Sequence, residues 1–217
     1  MNKIKQLYNN RFDPDEVKDK KSIWEILCNH FFNKVVGKDA KVLDLGAGYC
    51  EFINNIDCEE KYAVDLNEDL NLFAHPDVKT FNKDCSNLEF LLDNYFDVVF
   101  VSNFFEHLPS KQIMDHTLEQ IHCKLKPGGK LIVLQPNIKY LYDAYWDFYD
   151  HHLPLSHLSM VEALEKVGFS IVMLKPKFLP YTVKSKIPRH KFLVYLYLKL
   201  PVVQTLMGKQ MLIIAQK

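Results

Sequence analysis

Two glycines separated by one residue, Gly46 and Gly48, close the apolar run Val42-Leu43-Asp44-Leu45 and precede Tyr49-Cys50-Glu51-Phe52, which reads as a helix start. Glycines there remove the Cβ atoms that would keep a ligand off the backbone. A helix start adds unpaired N–H groups, so these residues suit the cradling of a nucleotide. A dinucleotide fingerprint needs a third glycine three residues after the second; here that position is Glu51, which points away from a nicotinamide cofactor. Asp65 lies 17 residues beyond Gly48, at the end of the β-rich run Lys61-Tyr62-Ala63-Val64. A carboxylate so placed suits a ribose diol. Downstream stand Glu106-His107 and then His151, His152 and His157. An imidazole with an unperturbed pKa near ~6.5 suits the removal of a proton from a hydroxyl at neutral pH.

Positioning these groups requires a framework, and the hydropathy pattern supplies one. Strands are expected over 41–46, 61–65, 78–82, 96–102 and 129–135, alternating with helical patterns near 49–56, 67–74, 86–92 and 110–124. Such alternation means a doubly wound, mostly parallel sheet. Runs such as Val98-Val99-Phe100-Val101 lack two-residue polarity, as expected of strands covered on both faces. A helix near 156–166 starts at Ser156 or Ser159 and stops at Gly168, and strands follow from Phe169 to Leu174 and from Met211 to Ala215. Ile23, Trp24, Ile26, Leu27, Phe31, Val35 and Val36 recur at helical spacing, predicting a cap helix within 15–36.

Taken in order, the glycine turn, Asp65, Asp77 to Asp84, Tyr95 to Leu108, and Leu125-Lys126-Pro127-Gly128-Gly129-Lys130 with the strand after it resemble the class I S-adenosylmethionine-dependent methyltransferases, of the small bacterial type. The resemblance covers roughly 38–175 and a last strand at 209–216. It implies a Rossmann-like, three-layer α/β/α fold with a seven-stranded sheet closed by a C-terminal antiparallel hairpin, and S-adenosyl-L-methionine as cofactor. It further implies that Asp44, Gly46, Ala47 and Gly48 form the cofactor turn, and that Asp65 with Leu66 meets the ribose. Asp84 and Cys85 would meet the adenine, although Asp84 also reads as a simple cap for a helix at Ser86. Asn103 and Phe104 would face the methionine amino group, and Tyr8 and Arg11 in an N-terminal arm could close over its carboxylate.

Methyl transfer needs an aligned acceptor and a way to remove its proton. In this topology His107, His151, His152 and His157 gather near one rim and are the candidate bases. Glu106-His107 also looks like the Glu-x-x-Glu-His element of metal-assisted small-RNA 2′-O-methyltransferases and ubiquinone-pathway O-methyltransferases. Asn103 stands where those have their first glutamate, so the primary reading is metal-free, with Glu106, His107 and one downstream histidine as the alternative ligand set. Tyr140, Tyr142, Tyr145, Trp146, Phe148 and Tyr149 offer aromatic faces for an acceptor. The expected reaction is O-methylation of a small-molecule hydroxyl on a sugar, lipid-linked or quinoid acceptor. A non-catalytic binding module of the same fold and a dehydrogenase are the readings from other classes. No Asp/Asn-Pro-Pro-Tyr motif follows the fourth strand, which argues against nucleic-acid bases as acceptors.

Length and composition agree: 217 residues, 48% hydrophobic and 25% charged, make one globular domain. Its expected organisation is an arm and cap helix over 1–37 and the methyltransferase domain over 38–217, with a basic and apolar insertion at 176–208. Five scattered cysteines form no Cys-x-x-Cys pair and indicate neither a disulfide framework nor a zinc cluster, which fits a reducing cytoplasm. The balanced net charge hides an asymmetry. Residues 166–217 carry ten Lys/Arg and no Asp/Glu, while 1–165 carry 17 Lys/Arg against 27 acids. Within that basic tail, 184–200 joins Lys184, Lys186, Arg189, His190 and Lys191 to an apolar stretch too short to cross a bilayer. It reads as a solvated loop and packed helix, or as a contact with an anionic membrane face or a lipid-linked substrate.

Overall fold

The computed structural model describes residues 14–181 and 191–217, and side chains from residue 20. Seven strands form one sheet: β1 (Lys41–Leu45), β2 (Glu60–Asp65), β3 (Val78–Asn82), β4 (Phe96–Ser102), β5 (Leu125–Pro136), β6 (Ser170–Leu179) and β7 (Gln210–Gln216). Their order is β3-β2-β1-β4-β5-β7-β6. β1 to β5 run parallel, and β7 is antiparallel to both β5 and β6. The chain order reverses between β1 and β4, and ligands of such sheets bind outside the carboxyl ends at that switch point.

Alternate residues of each strand serve two hydrophobic layers. Leu43, Leu45, Val99, Val101, Leu131 and Val133 pack on one side against Leu118 and Ile121 of α4 (Lys111–Lys124) and Leu164 of α6 (His157–Val167). On the other side Val42, Phe100, Ile132 and Leu134 meet Leu27, Phe32 and Phe52. There the Phe52 and Phe100 rings stack 3.7 Å apart, and Trp24 meets Phe100 edge-on at 5.8 Å. The expected cap helix is realised as α1 (Pro14–Leu27), a π-helical turn at Cys28–Phe32 and α2 (Asn33–Val36), ended by Gly37 at φ 87°. The π turn buries Cys28 and Phe32 together. Ser156 and Ser159 cap α6 reciprocally, and Gly168, at φ 102°, ends it.

Three expected helices are shortened or replaced. Only α3 (Leu70–Phe73) forms within 67–74. Over 49–56 the chain makes irregular turns, with Cys50 at φ 59° and Asn55 donating to Phe52 three residues back. Phe52, Ile53 and Ile56 are still buried, so apolar spacing there specified burial without a regular helix. Over 86–92 the Asp84 carboxylate accepts from the Ser86 N–H at 2.8 Å and the Asn87 side chain accepts from the Glu89 N–H at 3.0 Å. Those local bonds satisfy backbone groups that a helix would have used.

The insertion starts later than expected, because β6 runs on to Leu179. Within it α7 (Lys191–Lys199) and α8 (Pro201–Met207) lead into β7. Two further short elements, α5 (Ile138–Leu141) and a 3₁₀ turn at Tyr142–Asp147, follow β5. Lys184, Lys186, Arg189 and His190 lie outside the described residues. No described helix is long and apolar enough to cross a membrane.

Candidate active site

The glycine turn is held by one carbonyl. Val64 of β2 accepts from the Gly46 N–H at 2.9 Å and the Ala47 N–H at 3.2 Å, and the Cys85 thiol lies 3.5 Å from the same oxygen. Gly46 and Gly48 sit at φ 73° and 53°, a region L side chains enter at a cost. Their surroundings differ. A Cβ on Gly46 would stand 3.0 Å from Cδ2 of Phe104, whereas one on Gly48 would meet nothing within 4 Å. One Asp65 oxygen accepts from Gly48 N–H at 2.7 Å and the other from Asn67 N–H at 2.7 Å. An open backbone surface with a fixed carboxylate beside it is the cradle that a nucleoside needs.

The remaining residues of that predicted set divide. Leu66 is half exposed next to Asp65. Asp84 is exposed and bonded to both N–H and hydroxyl of Ser86, which makes a local turn, and the helix it was expected to cap does not form at Ser86. Cys85 is buried behind the turn, and burial pushes its thiol pKa up. Asp44 is only 3% exposed. Burial drives its pKa upward and the Ile53 N–H opposes the shift, so Asp44 braces the turn from inside and does not line its open side. Asn103, at φ 48°, turns the chain at the end of β4 and receives a 3.2 Å hydrogen bond from the Gln210 amide at the start of β7. Tyr8 and Arg11 lie outside the described residues.

Immediately after Phe104, a 3₁₀ turn at Phe105–His107 inserts Phe105 into the core and leaves His107 partly exposed. His107 Nδ1 lies 3.0 Å from the carbonyl of Asp150 and 3.3 Å from its carboxylate. The His151 ring is 5.0 Å from that of His107 and is enclosed by Tyr145 at 4.7 Å and Phe148 at 5.0 Å. Glu106 is buried; its carbonyl accepts from the N–H groups of His152 and Leu153 at 2.8 and 3.1 Å. Neither Glu106 carboxyl oxygen has a hydrogen-bond partner among the described residues. Burial therefore raises its pKa, with His107 opposing. One ligand atom from each of Glu106, His107 and His151 lies within 4.8 Å of the others.

The four candidate histidines are thus not equivalent. His107 and His151 come together, and His152 has an exposed position whose backbone supports Glu106. His157 belongs elsewhere: its Nδ1 is 3.0 Å from the buried Asn137 amide, and its ring stacks on Tyr140 at 5.9 Å. Burial lowers its pKa, and the Lys139 charge acts in the same direction. The aromatic segment divides similarly, with Tyr145 wholly buried and bonded to the Leu153 carbonyl, and Tyr142, Trp146 and Tyr149 exposed.

Sequence reasoning missed Asp150 and Gln135. Asp150 stands beside the histidine pair at 151–152, a proximity that could have drawn attention to it. Gln135 is fully buried near the end of β5, and neither end of its amide has a hydrogen-bond partner among the described residues. It shares the face of Leu131 and Val133, the layer that also holds Phe105. A lone polar residue closing the run Leu131-Ile132-Val133-Leu134 was the available signal.

A parallel five-strand core closed by an antiparallel pair, with a glycine turn and an acid on the next strand tip, defines a Rossmann-like methyltransferase fold. The chain belongs to the methyltransferase-domain family, whose model matches residues 18–174. No curated protein matches the chain. Among solved structures it resembles an S-adenosylmethionine-dependent methyltransferase from Archaeoglobus fulgidus, with TM-score 0.66 and 23% identity over 89% of this chain and 94% of that one. A second such enzyme, from Methanosarcina mazei, gives 0.64 and 15% over 87% and 97%. A third, from Mesorhizobium loti, gives 0.60 and 16% over 84% and 92%. At these identities the likeness is one of fold. The cofactor is S-adenosylmethionine, and the open face at Gly48 and the fixed Asp65 carboxylate fit it.

Proposed function

We propose that this methyltransferase methylates a hydroxyl of a small-molecule acceptor, a sugar, lipid-linked or quinoid compound, with His107 as general base. The observation that carries the reading is the pairing of His107 Nδ1 with Asp150, at 3.0 Å to its carbonyl and 3.3 Å to its carboxylate. Two acceptors on Nδ1 favour the tautomer protonated there, which leaves the Nε2 lone pair available to a hydroxyl proton. S-adenosylmethionine, when bound, supplies a methyl group on a sulfonium that is already a good leaving group. The protein's part is then to hold and to deprotonate. Gly46 to Gly48 and Asp65 hold the nucleoside, Phe104 packs against Gly46, and Asp150 keeps the base in one orientation.

A second reading is favoured by the approach of Glu106, His107 and His151 within 4.8 Å and by the unpartnered Glu106 carboxyl. A divalent cation there would neutralise that carboxylate and lower the pKa of a bound diol, as in metal-assisted 2′-O-methylation. The two readings separate in one assay: labelled methyl transfer to a panel of sugars, catechols and lipid-linked alcohols, with and without chelator. Transfer that survives chelator and collapses in His107→Gln supports the base; transfer abolished by chelator and restored by a divalent cation supports the metal. Transfer to no acceptor in the presence of a cofactor-induced thermal shift would favour a binding module. Saturating cofactor at ~100 times its Kd should stabilise the fold by about 2.7 kcal/mol.

A further inference from the structure

α7 and α8 present apolar side chains outward. On α7, Phe192, Leu193 and Leu196 follow the i, i+1, i+4 spacing of one helix face, and all three are exposed. The opposite side is apolar too: Leu198 packs on the second core layer, Tyr197 donates to the Phe178 carbonyl at 2.7 Å, and Tyr195 meets His30 at 4.7 Å. A helix apolar all round has a second apolar medium to meet. On α8, Val202 and Leu206, one turn apart, are 73% and 77% exposed, while Gln204 is buried beneath them. The charge that this segment itself carries has one sign, and the acid that meets it is contributed by α1. Lys199 and Lys209 are exposed at its ends, Lys191 is matched by Glu25 at 2.6 Å, and no acid occurs anywhere in 166–217.

The face also has a defined place. β6 and β5 point the same way through their shared antiparallel partner β7, so Leu179 and Gln210 stand at the carboxyl edge of the sheet. Lys209 donates to the Leu179 carbonyl at 2.8 Å, and Gln210 donates to Asn103 beside the glycine turn. We infer that α7 and α8 form an interfacial face that seats the protein on an anionic lipid bilayer, with the edge that carries the cofactor turn near the lipid surface.

Exposed apolar side chains flanked by lysines enter the headgroup boundary while the cations meet anionic lipid. α7, with nine residues, is about 14 Å long, too short to span a bilayer but sufficient to lie on one. A second copy is a poorer occupant, because a two-fold contact sets a patch against itself and would bring cations together. Proximity of the mouth to lipid also means that an acceptor carried in the membrane needs no extraction into water before it reaches His107. The docking face itself does not depend on the acceptor assignment.

The test is co-sedimentation of the full chain with phosphatidylcholine vesicles and with vesicles containing about one-third phosphatidylglycerol. Expected is at least ~10-fold stronger partitioning to the anionic vesicles, weakened as salt rises from about 0.1 to 0.5 M. The double variant Val202→Glu with Leu206→Glu should lose that partitioning and keep the thermal shift with S-adenosylmethionine, which certifies its fold. Equal partitioning to both vesicle types, none at low salt, or full retention by the variant would overturn the inference. So would a dimer of the wild type in sedimentation equilibrium that the same variant makes monomeric, since the face would then be a contact between copies.

Discussion

The carboxylate of Asp65 and the backbone N–H of Gly48 are joined at 2.7 Å, so the tip of β2 fixes the loop that leaves β1. Because the other Asp65 oxygen is held by Asn67, the carboxylate has one orientation before any nucleoside arrives. Asp65→Asn turns an amide NH₂ or its lone carbonyl toward two N–H donors and can satisfy only one. Isothermal titration should show S-adenosylmethionine affinity reduced by about 10- to 100-fold, with a stability loss of about 1–2 kcal/mol in urea unfolding.

The two turn glycines should fail differently. In Gly46→Ala the new methyl meets the Phe104 ring in a left-handed backbone, and the expected cost is about 2–4 kcal/mol of stability. Gly48→Ala meets nothing in the protein, so it should cost only about 1 kcal/mol while weakening the cofactor ~10-fold or more. Paired urea melts and titrations distinguish them; equal stability losses would contradict the geometry.

For the base, His107→Gln should lower kcat by about 10²- to 10⁴-fold with cofactor affinity unchanged. Asp150→Asn keeps the loop and removes the charge beside Nδ1. It should depress kcat less than His107→Gln does, because the ring keeps its proton-accepting nitrogen and loses only the carboxylate that orients it. A kcat equal to that of the wild type would detach Asp150 from the histidine.

Glu106 carries a pH signature. Burial raises its folded pKa above the ordinary 4.5, so its contribution to stability is fully present below that pH and is lost as pH rises through the folded value. Glu106→Gln cannot titrate. With chelator present, the stability of the wild type relative to the variant should fall from pH 4.5 upward, by as much as about 1.4 kcal/mol per pH unit until the folded group ionises. Parallel stability curves would mean that the carboxyl is solvated. A divalent cation that restores the wild type alone at pH 8 would locate the metal at this carboxylate.

What could be read from the sequence followed from long-range constraint. Buried parallel strands must be apolar runs, a nucleotide turn must lack Cβ atoms, and a carboxylate must end the next strand; Val42 to Gly48 and Tyr62 to Asp65 carry those demands in their residue types. The helices expected over 49–56 and 86–92 were less legible, because apolar spacing there reported burial while Asp84 and Asn87 offered the backbone local partners. The site's assembly lay further out of reach. His107 and His151 are 44 positions apart, and only the path from β5 to α6 brings them to one place. His157, equally eligible by type, was taken up by Asn137 through that same path.

The position of β7 has a consequence for the edge of the sheet. Among the described residues β6 pairs with β7 alone, and β7 also covers the outer edge of β5. One strand therefore closes two edges, and its detachment would isolate β6 and bare β5 together, leaving an apolar ladder open to pairing with another chain.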